Sequence, residues 1–105
     1  MKRNQLTKGE NRRVMYVENK EGVIDGYPAR IGWVEFSKSG MTVYYRGRNL
    51  KRSSRLVRGN HIDEETGDEY WVSGVKKRGS NAHWAEPISI HVDADAREEY
   101  KRIRS

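Results

Sequence analysis

Cysteine is absent from this 105-residue chain, and proline occurs only twice. Without cysteine the chain forms no disulfide, no thiolate zinc site and no cysteine nucleophile. No apolar run approaches the roughly 20 residues that a membrane helix needs, and the first residues lack the apolar core of a signal peptide. We therefore expect a cytoplasmic protein without a membrane-spanning segment.

Hydrophobic residues are also scarce: they make up 34% of the chain, the same share as the charged residues. This balance favours disorder, but the aromatic content argues against it. The chain has three Trp, six Tyr and one Phe, and each can bury roughly 150–250 Å² in a core. The composition predicts one folded domain over residues 12–105, preceded by a flexible basic tail over residues 1–11.

The clearest hairpin in the sequence is predicted over residues 29–46. Residues 29–37 and 41–46 are rich in β-branched and aromatic side chains, and the tripeptide KSG between them provides a tight turn. In the second strand, alternation places Val43 and Tyr45 on one face and Tyr44 on the other.

Other segments predict further strands at residues 12–18, 69–75 and 87–92. Residues 47–59 are different, because they are basic and have little periodicity. They predict at most a short edge strand followed by a loop.

The last segment, residues 93–104, predicts the only helix. Asp93 is a natural N-cap, and acidic residues early and basic residues late match the helix dipole. Glu98 and Arg102 stand at the spacing of an i,i+4 ion pair. One apolar stripe runs along the helix: Ala96, Tyr100 and Ile103.

Together these segments predict a mainly β fold. It is a small SH3-like, partly open barrel or a bent antiparallel meander of five to six strands, with one C-terminal α-helix. A bulge at Gly32 would turn apolar residues on both faces of its strand inward. The two periodicities predict one shared core: Ile31, Trp33, Val43, Tyr45, Val72, Ile88, Ile90, Tyr100 and Ile103.

Four segments resemble a family of small uncharacterised bacterial proteins: NRRVMYVENK, ARIGWVEFSKSGMTVYYRGR, GDEYWVSGVKKRGSNAHW and DADAREEY. The resemblance covers the chain from Arg12 to about Tyr100. It implies no activity, because the family has no established catalytic or binding residues. Some members are labelled as a deoxyxylulose-phosphate synthase. Such an enzyme binds thiamine diphosphate and needs several domains, which 105 residues cannot form.

Charge is distributed unevenly along the chain. Residues 1–58 hold 14 basic and 5 acidic side chains, net +9, whereas residues 59–105 hold 7 basic and 10 acidic ones, net −3. Between Phe36 and Ile62 there is no acidic residue, and we call this stretch the basic strip. Arginine suits bidentate phosphate contacts, and an exposed tyrosine offers a stacking surface for a base. Besides Lys38, the strip contains these candidate nucleic-acid contacts: Tyr44, Arg46, Arg48, Lys51, Arg52, Arg55 and Arg58.

A second basic cluster, Lys76, Lys77 and Arg78, follows a predicted strand. Trp71 precedes the cluster within that strand and is expected in the core. Trp84 follows it in a loop, where its ring could stack on a base. The cluster and Trp84 are therefore further candidate contacts for nucleic acid.

Three functions are compatible with these patterns. The first is a non-enzymatic module that binds RNA or single-stranded DNA through the basic strip. The second is a protein-interaction module, for example for an acidic protein. The third is a small ribonuclease with His83 as its acid–base group. A basic strip can also be a solvated edge, and the acidic segment 63–69 could fold across the strip and neutralise it.

No pattern for a cofactor or a metal is visible. The histidines, His61, His83 and His91, lack metal-ligand spacing and are expected at the surface. The acidic segment 63–69 lacks the spacing of a calcium loop, and no glycine-rich phosphate loop occurs. The sequence therefore predicts no catalytic residue, no cofactor and no metal ion.

Overall fold

A computed structural model describes residues 11–81 and 88–105 of the chain. The described residues form seven strands, a 3-10 turn and one α-helix. The elements in chain order are β1 (Arg12–Asn19), β2 (Ala29–Phe36), β3 (Thr42–Tyr45), β4 (Arg48–Arg52), β5 (His61–Asp63), β6 (Glu69–Gly74), β7 (Ile90–Val92), the 3-10 turn (Ala94–Ala96) and α1 (Arg97–Arg104). None of the helices in these two segments has the length and apolar character needed to traverse a bilayer.

The first six strands form an antiparallel barrel. Their order around the ring is β1-β6-β5-β4-β3-β2, and the pairing of β1 with β2 closes it. Strand β7 is added outside the ring, parallel to the first residues of β2. The predicted mainly β fold, a small barrel with one C-terminal helix, is confirmed, and the barrel is closed.

The apolar side chains form two cores, one inside the barrel and one between its outer surface and the C-terminal segment. The prediction of one shared core is wrong, because a strand in a closed barrel has an inner and an outer face. The barrel core contains Val17, Ile24, Val34, Val43, Tyr45, Leu50, Tyr70 and Val72. The outer core contains Val14, Tyr16, Ala29, Ile31 and Ala96, with Trp33, Trp71, Ile88, Ile90, Tyr100 and Ile103 packed against it.

Both faces of strand β2 are apolar because each face packs into a different core. Val34 points into the barrel core, while Ile31 and Trp33 point into the outer core. The pairing with β1 is continuous along β2, so the bulge expected at Gly32 does not form. Gly32 has a different role: a Cβ atom there would collide with the carboxylate of Asp93 and lie 2.8 Å from the hydroxyl of Tyr45.

The C-terminal helix begins later than predicted, at Arg97. Asp93 makes no capping hydrogen bond, because its carboxylate points into the end of the barrel and binds Arg30. The ion pair on the helix joins Glu99 to Arg102 rather than Glu98 to Arg102.

Residues 48–52 form an interior strand rather than an edge. β4 pairs with β3 on one side and β5 on the other, and Leu50 is fully buried in the barrel core. β4 therefore runs from one end of the barrel to the other and determines where the basic strip lies.

Candidate nucleic-acid interface

Strand β4 divides the basic strip between the two ends of the barrel. Arg48 begins the strand opposite Tyr45, whereas Arg52 ends it and donates its backbone N–H to the carbonyl of Met41. Four residue steps at about 3.3 Å place the two Cα atoms about 13 Å apart. The strip is therefore not one continuous surface.

At the Arg48 end, two tight turns face each other. Asp25 and Gly26 form one turn and Arg46 and Gly47 the other, and all four residues have positive φ angles, as two-residue hairpin turns require. The juxtaposition brings Asp25 between two arginines. Its Oδ2 lies 2.7 Å from Nε of Arg46, and its Oδ1 lies 3.1 Å from Nη2 of Arg48.

These contacts hold all three groups in their charged forms. Hydrogen bonds from Arg48 and Arg46 lower the pKa of Asp25 to about 2. The same carboxylate raises the pKa of both arginines. One carboxylate is thus shared by two guanidinium groups, and it halves the net charge of this part of the basic strip from within the chain.

Below the two turns lies a buried ion pair. Arg30 and Asp93 are joined by a 2.7 Å contact, and their side chains are only 7% and 8% exposed. Tyr45 donates its hydroxyl to Asp93, while Nε of Arg30 donates to the carbonyl of Ile24. Burial, reinforced by Asp93, raises the pKa of Tyr45. This network fastens the C-terminal segment to the barrel and does not face solvent.

A surface groove of about 390 Å³ runs beside the turns. Tyr44 is 42% exposed there and stands opposite Glu35 in the sheet. The guanidinium of Arg12 stacks 4.7 Å from the ring centre of Trp33, whose Nε1 donates to the carbonyl of Asp95. The groove is lined by Arg12, Trp33, Glu35, Tyr44, Tyr45, Arg46, Gly47, Arg48 and Asn49. It combines an exposed aromatic ring with cations that already have partners.

The opposite end of the barrel is basic. The start of β1, the β2–β3 turn, the loop after β4 and the segment after β6 meet there, as shown by contacts of Asn11 with Phe36, Arg52 with Met41, and Met15 with Gly74. Seven cations at this end are exposed. We call this set the basic rim: Arg13, Lys38, Arg52, Arg55, Lys76, Lys77 and Arg78.

The basic rim has no internal partners in the described part of the chain. Within residues 11–81 and 88–105, no carboxylate lies within 4 Å of a charged nitrogen of any rim side chain. The loop of residues 76–79 is held by Arg104, which donates to the carbonyls of Lys76 and Gly79. The rim cations are thus presented to solvent.

The remaining strip residues lie elsewhere. Lys51 is exposed on the outer face of β4, opposite Thr42. Arg58 lies 3.6 Å from Glu21, and its backbone N–H donates to Glu69. Trp84 lies outside the described residues, as do residues 1–10 of the predicted tail.

In the described residues the acidic segment 63–69 makes no ion pair with the arginines of the strip, and its contact there is from Glu69 to the backbone of residues 57–59. Asp63 is buried and accepts hydrogen bonds from the backbone N–H groups of Glu65 and Thr66, which closes the segment on itself. Backbone N–H groups of residues 57–59 bind Glu69 and lower its pKa. The charges of Arg46 and Arg48 are partly neutralised instead by Asp25, in the Asp-Gly turn between β1 and β2.

The histidines do not assemble a reactive site among the described residues. His61 is buried, contrary to expectation, and its Nδ1 lies 2.8 Å from Oδ1 of Asn60. His91 stacks on Tyr27, 4.4 Å between ring centres. His83 lies outside the described residues, and no group of potential metal ligands occurs within them.

No family model, no curated protein and no solved structure matches this chain.

Proposed function

We propose that this protein is a non-enzymatic module that binds single-stranded nucleic acid through the basic rim. The observation that carries the proposal is the contrast in pairing between the two barrel ends. Arg46 and Arg48 share Asp25, and Arg58 lies beside Glu21. The seven rim cations have no carboxylate partner in the described segments.

Concentrated unpaired charge favours a polyanionic ligand. Like charges on one small surface repel each other, and a bound anion relieves that repulsion. Phosphates spaced along a flexible strand can follow a ring of cations around a barrel mouth, and releasing their counterions drives binding. The rim adds Arg13 and Lys38 to the contacts predicted from the sequence. It retains Arg52, Arg55 and residues 76–78 from that prediction.

Tyr44 and Lys51 support binding of a single strand over a duplex. Both are exposed on the outer barrel surface, outside the rim. A strand leaving the rim along β3 and β4 would pass Lys51 and then Tyr44, on whose ring a base can stack.

The test measures binding of a fluorescein-labelled mixed-sequence oligonucleotide by anisotropy at several salt concentrations. The double variant Arg52→Ala, Arg55→Ala should weaken binding about tenfold at low salt. Its plot of log affinity against log salt should be flatter by about 1.4, since each phosphate contact to a single strand contributes about 0.7.

The matched control removes two cations from the opposite end of the barrel, which we call the paired end because Asp25 and Asp93 pair with its arginines. This control is Arg46→Ala with Arg48→Ala. It changes the net charge equally and should weaken binding less than about threefold. Equal losses in the two double variants would mean that only net charge matters and would reject the rim as the site. Binding of an acidic protein but of neither RNA nor single-stranded DNA would favour the protein-interaction function instead.

A further inference from the structure

A pocket opens within the basic rim, between the start of β1 and the β2–β3 turn. Its volume is about 380 Å³, within the range of small-ligand sites. It is lined by Asn11, Arg13, Phe36, Ser37, Lys38, Ser39 and Gly40. None of the lining residues is acidic, and Arg13 and Lys38 have no ion-pair partner in the described residues.

The two serine hydroxyls of this pocket accept backbone N–H groups and can still donate their own hydrogens. Oγ of Ser37 accepts the backbone N–H of Thr42 at 3.0 Å, and Oγ of Ser39 accepts that of Met41 at 3.2 Å. Each hydroxyl keeps its own hydrogen to donate. The two Oγ atoms lie 3.5 Å apart, so at most one hydrogen bridges them and the other is available to a ligand.

The two cations, Arg13 and Lys38, and a hydroxyl group that can donate favour a ligand with several acceptor oxygens. A phosphate group has three or four such oxygens, and hydrogen bonds to it from charged donors are stronger than those between neutral groups. The half-buried ring of Phe36, which also packs on the barrel core, adds an apolar wall to the pocket. An inorganic anion alone would leave that wall without a contact.

We infer that this pocket binds one nucleotide, with its phosphate between Arg13 and Lys38 and its base or sugar against Phe36. This inference rests on the proposed function and deepens it, since the pocket would hold one nucleotide of the bound strand. The phosphate could be a terminal monoester or an internal diester, because both present the same oxygens to the two cations.

The probe is adenosine 5′-monophosphate, titrated into the ¹⁵N-labelled full chain at low salt. Amide signals of residues 37–41 should shift, and adenosine without phosphate should bind at least about tenfold more weakly. Inorganic phosphate should also bind more weakly than the nucleotide, because it makes no contact with Phe36. Oligonucleotides with a 5′-phosphate or a 5′-hydroxyl then separate the two phosphate sources: a preference for the former assigns the pocket to strand ends.

The double variant Arg13→Ala, Lys38→Ala should raise the dissociation constant for the nucleotide at least about tenfold. The matched control is Arg97→Ala with Lys101→Ala, two exposed cations of α1, which should change it less than twofold. Equal binding of adenosine and its monophosphate, or equal effects of the two double variants, would overturn the inference.

The two proposals fail in different ways. If the oligonucleotide binds with the predicted salt dependence but the mononucleotide binds more weakly than about 10 mM, only the pocket assignment is wrong. If neither binds, the proposed function is wrong as well.

Discussion

At one end of the barrel three arginines have carboxylates beside them, and at the other end the rim cations have none in the described residues. Arg30 binds Asp93, and Arg46 and Arg48 share Asp25. Both ends take some of their cations from the basic strip, yet only at one end do carboxylates lie beside them. A run of basic residues in the sequence therefore need not form one basic surface, because strand β4 places Arg48 at one end of the barrel and Arg52 at the other.

The two ends should also differ in what their charges do for folding. Charges at the paired end are partly buried and hold chain segments together, so their removal should cost stability. Charges at the basic rim are exposed, and their removal should cost binding instead.

The largest expected effect comes from Asp93→Ala at the paired end. It leaves Arg30 buried without its carboxylate and removes the acceptor of the Tyr45 hydroxyl. Breaking such a buried pair costs about 3–5 kcal/mol of unfolding free energy, measured by urea denaturation. The control Asp95→Ala removes an exposed carboxylate two residues away and should change stability by less than about 0.5 kcal/mol. A loss below about 1 kcal/mol for Asp93→Ala would contradict the assigned role.

The pairing of Arg30 with Asp93 could not be predicted from the local sequence. Asp93 fits an N-cap by every local criterion, but its carboxylate is used by Arg30, 63 positions earlier in the chain. Likewise, the Asp-Gly pair at 25–26 predicts a turn, but only the packing of two hairpins brings Asp25 to Arg46. Local sequence gives turn types and strand faces, whereas partners across the barrel depend on register.

The strand faces were largely predictable because alternation has a period of two. Val43 and Tyr45 are buried and Tyr44 is exposed, as predicted. β4 was not recognisable as an interior strand because the sequence RNLKR has one apolar residue, Leu50. β4 is an interior strand because its backbone forms hydrogen bonds with both β3 and β5. Backbone hydrogen bonds leave no periodic pattern of apolar residues in the sequence.

The second-largest expected effect is a loss of stability at low pH, caused by His61. This residue is 3% exposed and pairs in register with Arg52 of the rim. Burial, with a contribution from Arg52, lowers its pKa to about 4. The unfolded value is about 6.5, so the unfolded chain binds the extra proton between these pH values. Stability should therefore be constant above about pH 6.5 and fall as pH drops to about 4, by on the order of 2–3 kcal/mol.

His61→Asn should reduce this pH dependence, and Arg52→Ala should raise the pKa of His61, which ¹H–¹⁵N NMR of the ring measures directly. A histidine that titrates near 6.5 in the folded protein would show that His61 is neither buried nor influenced by the rim.

The third expected effect is a loss of stability caused by a substitution at the paired end. Gly32→Ala introduces a Cβ atom into the space occupied by the Asp93 carboxylate and the Tyr45 hydroxyl. Overpacking of this kind costs about 1–3 kcal/mol, measured by thermal unfolding. Gly74→Ala is the matched control, because nothing lies within 4 Å of a Cβ atom at that position. Equal melting temperatures for the two variants would contradict the packing described for Gly32.

The smallest effect is that of Asp25→Asn. The carboxylate is 43% exposed, so solvent screens its two ion pairs, and we expect a loss below about 1 kcal/mol. Its pKa of about 2 lies below the ordinary 3.8, so its contribution is present above pH 3.8 and lost as pH falls towards 2. Arg48→Ala should raise this pKa, and a carboxylate titration that is unchanged in that variant would argue against the pairing.

The most direct test of the contrast between the two ends is an amide chemical-shift map of the protein with an unlabelled mixed-sequence single-stranded oligonucleotide at low salt. We predict the largest shifts in the β2–β3 turn, in the loop after β4 and in residues 76–78, with little change around Asp25, Arg46 and Arg48. Shifts concentrated around those three residues, or no shifts at low salt, would contradict the assignment of the basic rim as the binding surface.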